Sequence, residues 1–311
     1  MILKIIFNYN NAIVVDNMRN RILFLILFSF TVFTSCNRSL TIETIELPEP
    51  DFKGVYQTCN KSGRTGLKFI SKSSNDIIDD DVWLEKYSKG MPNYVTYTFT
   101  PGGNRATEEI KQMVPVVCNG LCRRSIDMFE EYNVVYYGTP YSSWDGKPFG
   151  VSPTLILITS PSMDEVISAI DFSKFSVDAF SKPEDAKYTD ISVWEVQIEN
   201  DILYACVSHS TYSESSSGYN AYLVAVDLRS QTLKWVTKPL TCNSSFVIYN
   251  DVIFTGYGFT KEKDYIYILD KETGDRISHV PLSKAPGYFS IIDNKLYVRT
   301  YSFDYTFQIV V

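Results

Sequence analysis

Beyond residue 53 the chain is punctuated every few residues, and helical periodicity is scarce. Short runs rich in Val, Ile, Tyr and Phe alternate with Gly, Asn, Asp and Pro, the pattern of strands separated by turns. One element recurs: Ile198-Glu199-Asn200-Asp201-Ile202-Leu203, Ile248-Tyr249-Asn250-Asp251-Val252-Ile253 and Ile292-Asp293-Asn294-Lys295-Leu296-Tyr297. Asn with a polar neighbour tolerates left-handed backbone angles, and apolar runs on both sides make the element a hairpin. Weaker copies begin at Asn93 and Asn133, and the long interval before Asn200 holds a polar insert, 138–153. Residues 106–113 are the best short-helix candidate.

One repeat resolves completely into strands: Ser245–Tyr249, Val252–Tyr257, Tyr265–Asp270 and Arg276–Pro281. Four antiparallel strands recurring in about 40 residues predict an all-β fold, a β-propeller of about five to seven four-stranded blades spanning 53–311. The last run, Tyr305–Val311, lacks a fourth partner, so Gly66–Lys72 is expected to return and close the ring, removing exposed edges.

The corner between third and fourth strands carries a resemblance. Ala225, Asp227, Ser230, Gln231 and Trp235 are similar to the docking motif Ala-x-Asp-x-x-Thr-Gly-x-x-x-Trp of PQQ-type propellers, with Ser for Thr and Gln for Gly. Asp270, Thr273 and Gly274 form a second copy with Ser278 in place of Trp, and Ala169-Ile170-Asp171 keeps the start of a third. The Asp accepts turn hydrogen bonds, the Gly allows a positive-φ corner, and the Trp packs between blades. The family's dehydrogenases are larger rings with calcium ligands and an adjacent cysteine pair over the cofactor. This chain has no such pair, so neither a quinone cofactor nor a metal is expected.

The N-terminus reads as an address. Arg19 and Arg21 precede an apolar run, Ile22–Phe33, and the small residues Thr34 and Ser35 lead into Cys36. The run is too short to span a bilayer, which takes about 20 residues. Phe33-Thr34-Ser35-Cys36 resembles a bacterial lipobox, with Phe where Leu is commoner. The resemblance implies cleavage before Cys36, acylation of that residue, and a firm lipid anchor in the cell envelope. Met18 is the more sensible start of this signal, residues 1–35 are the signal peptide and 36–52 a tether. Asn37, where an Asp would retain an enterobacterial lipoprotein at the inner membrane, points to the outer membrane of a Gram-negative bacterium.

Composition narrows the chemistry. With 29 Lys+Arg against 36 Asp+Glu the net charge is −7, which argues against nucleic-acid binding. The 22 Tyr and 19 Phe suit strands. Two histidines, His209 and His279, leave little room for a multi-histidine metal centre, and no serine sits in a Gly-x-Ser-x-Gly elbow. Cys118 and Cys122 either close a small disulfide loop across Asn119-Gly120 or stay free thiols; a metal would need further ligands that the neighbourhood lacks. Cys206 reads as a small core residue. Asp76, Asp79, Asp80 and Asp81 read as a solvated turn, and Ser213–Gly218 as a flexible connection.

The most site-like segment is the insert, where Tyr141, Trp144 and Asp145 combine aromatic platforms with hydrogen-bonding groups. Tyr297, Arg299 and Tyr301 share a strand face as a second contact strip. The expected function is non-catalytic: a lipid-anchored envelope propeller that binds a protein or glycan partner. The competing expectation is a glycan hydrolase, which requires two carboxylates about 5–10 Å apart in a concave pocket.

Overall fold

The computed structural model describes residues 39–48, 65–75, 80–88, 114–129, 131–142, 148–177 and 182–310. The lipobox with Cys36, the Asn93 hairpin, the 106–113 helix and Trp144–Asp145 lie outside these residues. Two compact units make up the chain: 1–44, 100–151 and 155–170 in the first, 45–99, 152–154 and 171–311 in the second.

The chain begins with two short strands, β1 (Ser39–Leu40) and β2 (Ile45–Glu46). In the first unit β1 runs parallel to β4 (Val117–Cys118), followed across the sheet by β5 (Leu121–Met128), β6 (Asn133–Ser142), β7 (Pro148–Thr159) and β8 (Val166–Asp171). Its core gathers Cys118, Ile126, Val135, Tyr137, Leu155 and Leu157. The weaker repeat at Asn133 does mark a hairpin, β5–β6, but Asn133 opens its second strand opposite Met128 and is not a turn residue. It is buried at the start of β6, and its amide donates to the carbonyls of Ser160 (2.7 Å) and Pro161 (3.1 Å). The insert is likewise no simple loop, because β6 and β7 extend into both of its arms.

The second unit is built of three consecutive four-stranded antiparallel blades. The first comprises β9 (Ser192–Glu199), β10 (Ile202–Ser208), β11 (Tyr222–Asp227) and β12 (Thr232–Val236). The second holds β13 (Val247–Tyr249), β14 (Val252–Tyr257), β15 (Tyr265–Asp270) and β16 (Arg276–Pro281). The third holds β17 (Pro286–Ile292), β18 (Lys295–Thr300) and β19 (Phe303–Val310), completed by β3 (Gly66–Ser74). The N-terminal strand thus supplies the fourth partner, in register from Val310↔Gly66 to Phe303↔Ser74 with one bulge.

Turn chemistry explains the hairpins. Asn200 and Asp201 both have positive φ (52° and 60°), as do Asp293 and Asn294 (50° and 59°), so each pair makes a two-residue turn whose twist matches its strands. In the hairpin between β13 and β14 only Asn250 takes a positive φ (53°). At the blade corners Asp227 Oδ1 accepts from the amides of Arg229 and Ser230, and Asp270 Oδ1 from those of Glu272 and Thr273. Gln231 takes the positive φ (56°) that the motif assigns to Gly.

Packing follows from burial on both faces. Ile253 of β14 faces a core shared with Tyr204, Cys206 and Trp235 of the first blade, whereas Val252 and Phe254 face one shared with Phe289, Leu296 and Phe307 of the third. A strand covered on both sides loses apolar–polar alternation, so β14 is buried throughout. Trp235 closes the first seam. Its indole N–H donates to Lys271 O (3.2 Å), and its ring lies over Gly274, where a Cβ would stand 2.5 Å from it.

A helix, α1 (Asp80–Ser88), packs on the third blade. Its presence corrects the turn expectation for Asp80 and Asp81, while Asp80 stays exposed to solvent as expected. Asp80 pairs with the Arg299 guanidinium, whose Nη1 also lies 3.3 Å from Asp304 Oδ1, and Tyr87 stacks on Tyr297 at 4.4 Å. Asp76 and Asp79 are outside the described residues, which contain no helix long and apolar enough to cross a membrane.

Candidate functional site

The structure scatters most of the residues singled out above. Tyr141 is half-buried in β6 with its ring against Gly150, where a Cβ would come within 3.1 Å of the ring carbons. Cys118 and Cys122 are free thiols, which corrects the disulfide alternative. The β4–β5 register sets Cys118 opposite Leu121 and Cys122 opposite Val117, so the two side chains leave the hairpin on opposite faces. Burial pushes the Cys118 thiol up to about 11, keeping it protonated and inert. His279 is exposed on β16, edge-on to Tyr265 at 5.1 Å. In the second strip Tyr297 and Arg299 are engaged by α1, leaving Tyr301 exposed.

What the blades do bring together is a pocket of about 340 Å³ in the second unit. Each blade contributes the same end. Trp194 and Glu195 come from the start of β9, Ser208–Ser210 from the end of β10, and Asn243–Ser245 from just before β13. Gly258 and Phe259 follow β14, and Pro286–Tyr288 begin β17. Three rings therefore line one cavity: Trp194, Phe259 and Tyr288. Phe259 is held edge-on by Tyr212 at 5.0 Å, and Tyr288 lies 6.2 Å from Trp83 of α1.

Several polar groups of the lining are spent on the fold, whereas Ser244 Oγ is buried there without a hydrogen-bond partner. The Trp194 N–H donates to Ser208 O (3.0 Å), and Asn243 Nδ2 to Gly258 O (2.8 Å). Ser245 Oγ accepts from the Phe289 amide (2.9 Å). Glu195, 9% exposed, accepts from Gln197 Nε2 at 2.6 Å, and Gln197 also reaches Phe246 O across the seam. Glu195 is the one carboxylate among the residues lining the pocket.

His209 is the lining group with the most catalytic chemistry in principle, and its bonds disarm it. Its Nδ1 accepts from the Thr211 amide (3.3 Å), so the ring proton sits on Nε2 and points at Ser216 Oγ, 2.7 Å away. Ser216 in turn donates to Ser213 O (3.2 Å). The imidazole lone pair thus does not face the serine hydroxyl proton, as nucleophile activation requires. Burial holds the imidazole down to about 4 against the opposing pull of Asp185, so it is neutral at pH 7. The serine-rich stretch behind it is a tight 3₁₀ turn with Ser215 and Ser216 buried, correcting the flexible-connection expectation. Glu262 and Asp185 accept from Ser213 and Ser215 and fasten it.

No protein-family model matches the chain, and no curated protein does. Among solved structures it is similar to BamB from Moraxella catarrhalis, with 12% identity over 63% of this chain and 72% of that one and a TM-score of 0.31. It is also similar to the quinohemoprotein alcohol dehydrogenase of Comamonas testosteroni, with 14% identity, 57% and 38% coverage and a TM-score of 0.31. A europium-containing methanol dehydrogenase gives 10% identity, 52% and 24% coverage and a TM-score of 0.32. The chain spans well under half of the two dehydrogenases, and at these scores the blade architecture rests on the chain's own sheets.

Proposed function

We propose that this chain is a recognition module of the cell envelope, a lipid-anchored β-propeller that binds a protein or glycan partner without transforming it. The observation that carries the reading is the pocket where three blade ends converge: Trp194, Phe259 and Tyr288 surround a cavity whose lining holds one carboxylate and a neutral histidine. Paired acid and base carboxylates, which glycoside hydrolysis needs, do not meet there. Rings on a rigid sheet scaffold supply contact area at little cost in conformational entropy.

The anchor and the site are tested separately. Cys36→Ala is expected to abolish incorporation of labelled fatty acid and to move the protein from membrane to soluble fractions; unchanged labelling removes the anchor from the proposal. Phe259 is half-buried at the pocket wall, so Phe259→Ala should leave the melting temperature nearly unchanged. Binding of the partner, scored by glycan array and envelope pull-down, should weaken about tenfold, the usual scale for truncating an interface ring. Full retention of binding in Phe259→Ala together with loss in Trp144→Ala transfers the site to the insert.

A further inference from the structure

Two free thiols meet inside the second unit. Cys206 lies on β10 and Cys242 on the crossing from β12 to β13, 36 residues further along the chain. Both are fully buried in one core cluster with Tyr204, Ala221, Trp235 and Phe246. Cys206 Sγ stands 3.4 Å from Cys242 O, and Cys242 Sγ stands 3.5 Å from Ser244 O. The two thiol groups are also in hydrogen-bond contact with each other. An S–H is a weak donor, so a covalent link between these sulfurs gives up little. Cys118 and Cys122 differ in this respect, because they leave their hairpin on opposite faces. Burial raises the Cys206 thiol well above its usual range, which keeps it unreactive while the blades are closed. Attack on a disulfide needs a thiolate, and therefore an opened seam or a chain that is still folding.

We infer that Cys206 and Cys242 are the two halves of a disulfide, formed as the blades fold or reopen under oxidising conditions and sealed in the core when they close. The oxidant is an external disulfide such as oxidised glutathione. One cysteine thiolate attacks it, making a mixed disulfide and releasing one glutathione. The second cysteine thiolate attacks the protein sulfur of that intermediate and releases the other. Two cysteine S–H bonds and the oxidant's S–S bond are lost; the Cys206–Cys242 bond and two glutathione S–H bonds are gained. The link ties β10 to the crossing into the second blade, directly ahead of Asn243–Ser245 in the pocket wall. The oxidising setting rests on the envelope reading above, whereas the pairing rests on the blade core alone.

The test incubates the reduced full chain with oxidised glutathione in urea up to the unfolding midpoint, so that the seam opens and closes, and then removes both. Non-reducing peptide mapping by mass spectrometry is expected to find Cys206 joined to Cys242. Hydrogen exchange in β10 and β14 should slow by about tenfold or more, as closing a long loop restrains the unfolded chain, and dithiothreitol should reverse it. Cys206→Ala and Cys242→Ala should each remove both the link and the response to oxidant. The inference falls if the two thiols stay alkylatable, or carry separate glutathiones, in a chain whose exchange pattern has returned to native. It also falls if either one joins Cys118 or Cys122 instead. A pair that joins in vitro yet is recovered reduced from cells removes the envelope reading and upholds the pairing.

Discussion

Trp235→Ala is expected to destabilise the blade region by about 3–5 kcal/mol, the range for removing a large aromatic from a well-packed site. The indole is 8% exposed, lies 5.8 Å from the Tyr204 ring, and crosses from the first blade to the second. It does two jobs there. Its ring covers Gly274, and its N–H satisfies Lys271 O at a corner where the chain reverses. Alanine opens a cavity at the seam and leaves a carbonyl to find water. Because the chain has two compact units, hydrogen exchange read by mass spectrometry is the suitable measure, with peptides from β10 and β14 compared against β5 and β6. Exchange in the blades should accelerate by two orders of magnitude or more. Acceleration below about fivefold would show that the seam does not depend on Trp235.

The cycle with Gly274 makes the claim sharper. Gly274 has φ +73°, and a Cβ there would stand 2.5 Å from the indole, so Gly274→Ala combines backbone strain with a clash. In a Trp235→Ala background the clash disappears and the strain alone remains. The two substitutions should therefore cost less together than the sum of their separate costs, by about 1 kcal/mol or more.

That seam was legible before any coordinates, since Trp235, Asp270, Thr273 and Gly274 carry the corner motif in their spacing. Hairpins were legible for a similar reason: Asn-Asp and Asp-Asn pairs announce the one backbone geometry that suits them. Even the return strand could be anticipated, as Gly66–Lys72, because the third blade otherwise has only three strands. The pocket could not. Its lining arrives in fragments of two or three residues from five places, such as Trp194–Glu195 and Gly258–Phe259, and no periodicity joins them. A signal did exist in the repeat itself, since each fragment occupies the start of a first strand or the end of a second. Local composition misled where tertiary partners took over. Asp80 reads as part of a turn until α1 and its pairing with Arg299 are seen, and Ser213–Ser216 looks flexible until Glu262, Asp185 and His209 are bonded to it. The spacing of Cys118 and Cys122 left a small disulfide loop and two free thiols both open, and register alternation sets the two side chains on opposite faces.

Acidification should loosen the blades while tightening the other unit. His209 is 3% exposed, and burial lowers its imidazole from 6.5 to about 4. Between those values the unfolded chain binds the proton and the folded one does not. The stability present above pH 6.5 is therefore lost as pH falls toward 4, by roughly 3 kcal/mol at ~1.4 kcal/mol per unit. Asp127 in the first unit runs the other way. Burial raises its carboxyl from 3.8 to about 6, outweighing the lowering contributions of the Tyr136 hydroxyl (2.7 Å) and Arg124. There the folded state holds the proton more tightly, so stability is full below 3.8 and is lost as pH rises through 6. Hydrogen exchange at pH 7, 6 and 5, corrected for intrinsic rates, should show opening free energies falling for peptides spanning β10–β11 and rising for those spanning β5–β6. His209→Gln keeps a side-chain donor for Ser216 but cannot titrate. It is expected to flatten the first trend and leave the second untouched, while Asp127→Asn should do the reverse. Parallel trends in the two units, or a slope for β10–β11 that survives His209→Gln, would assign the acid response to other groups and return His209 to a purely packing role.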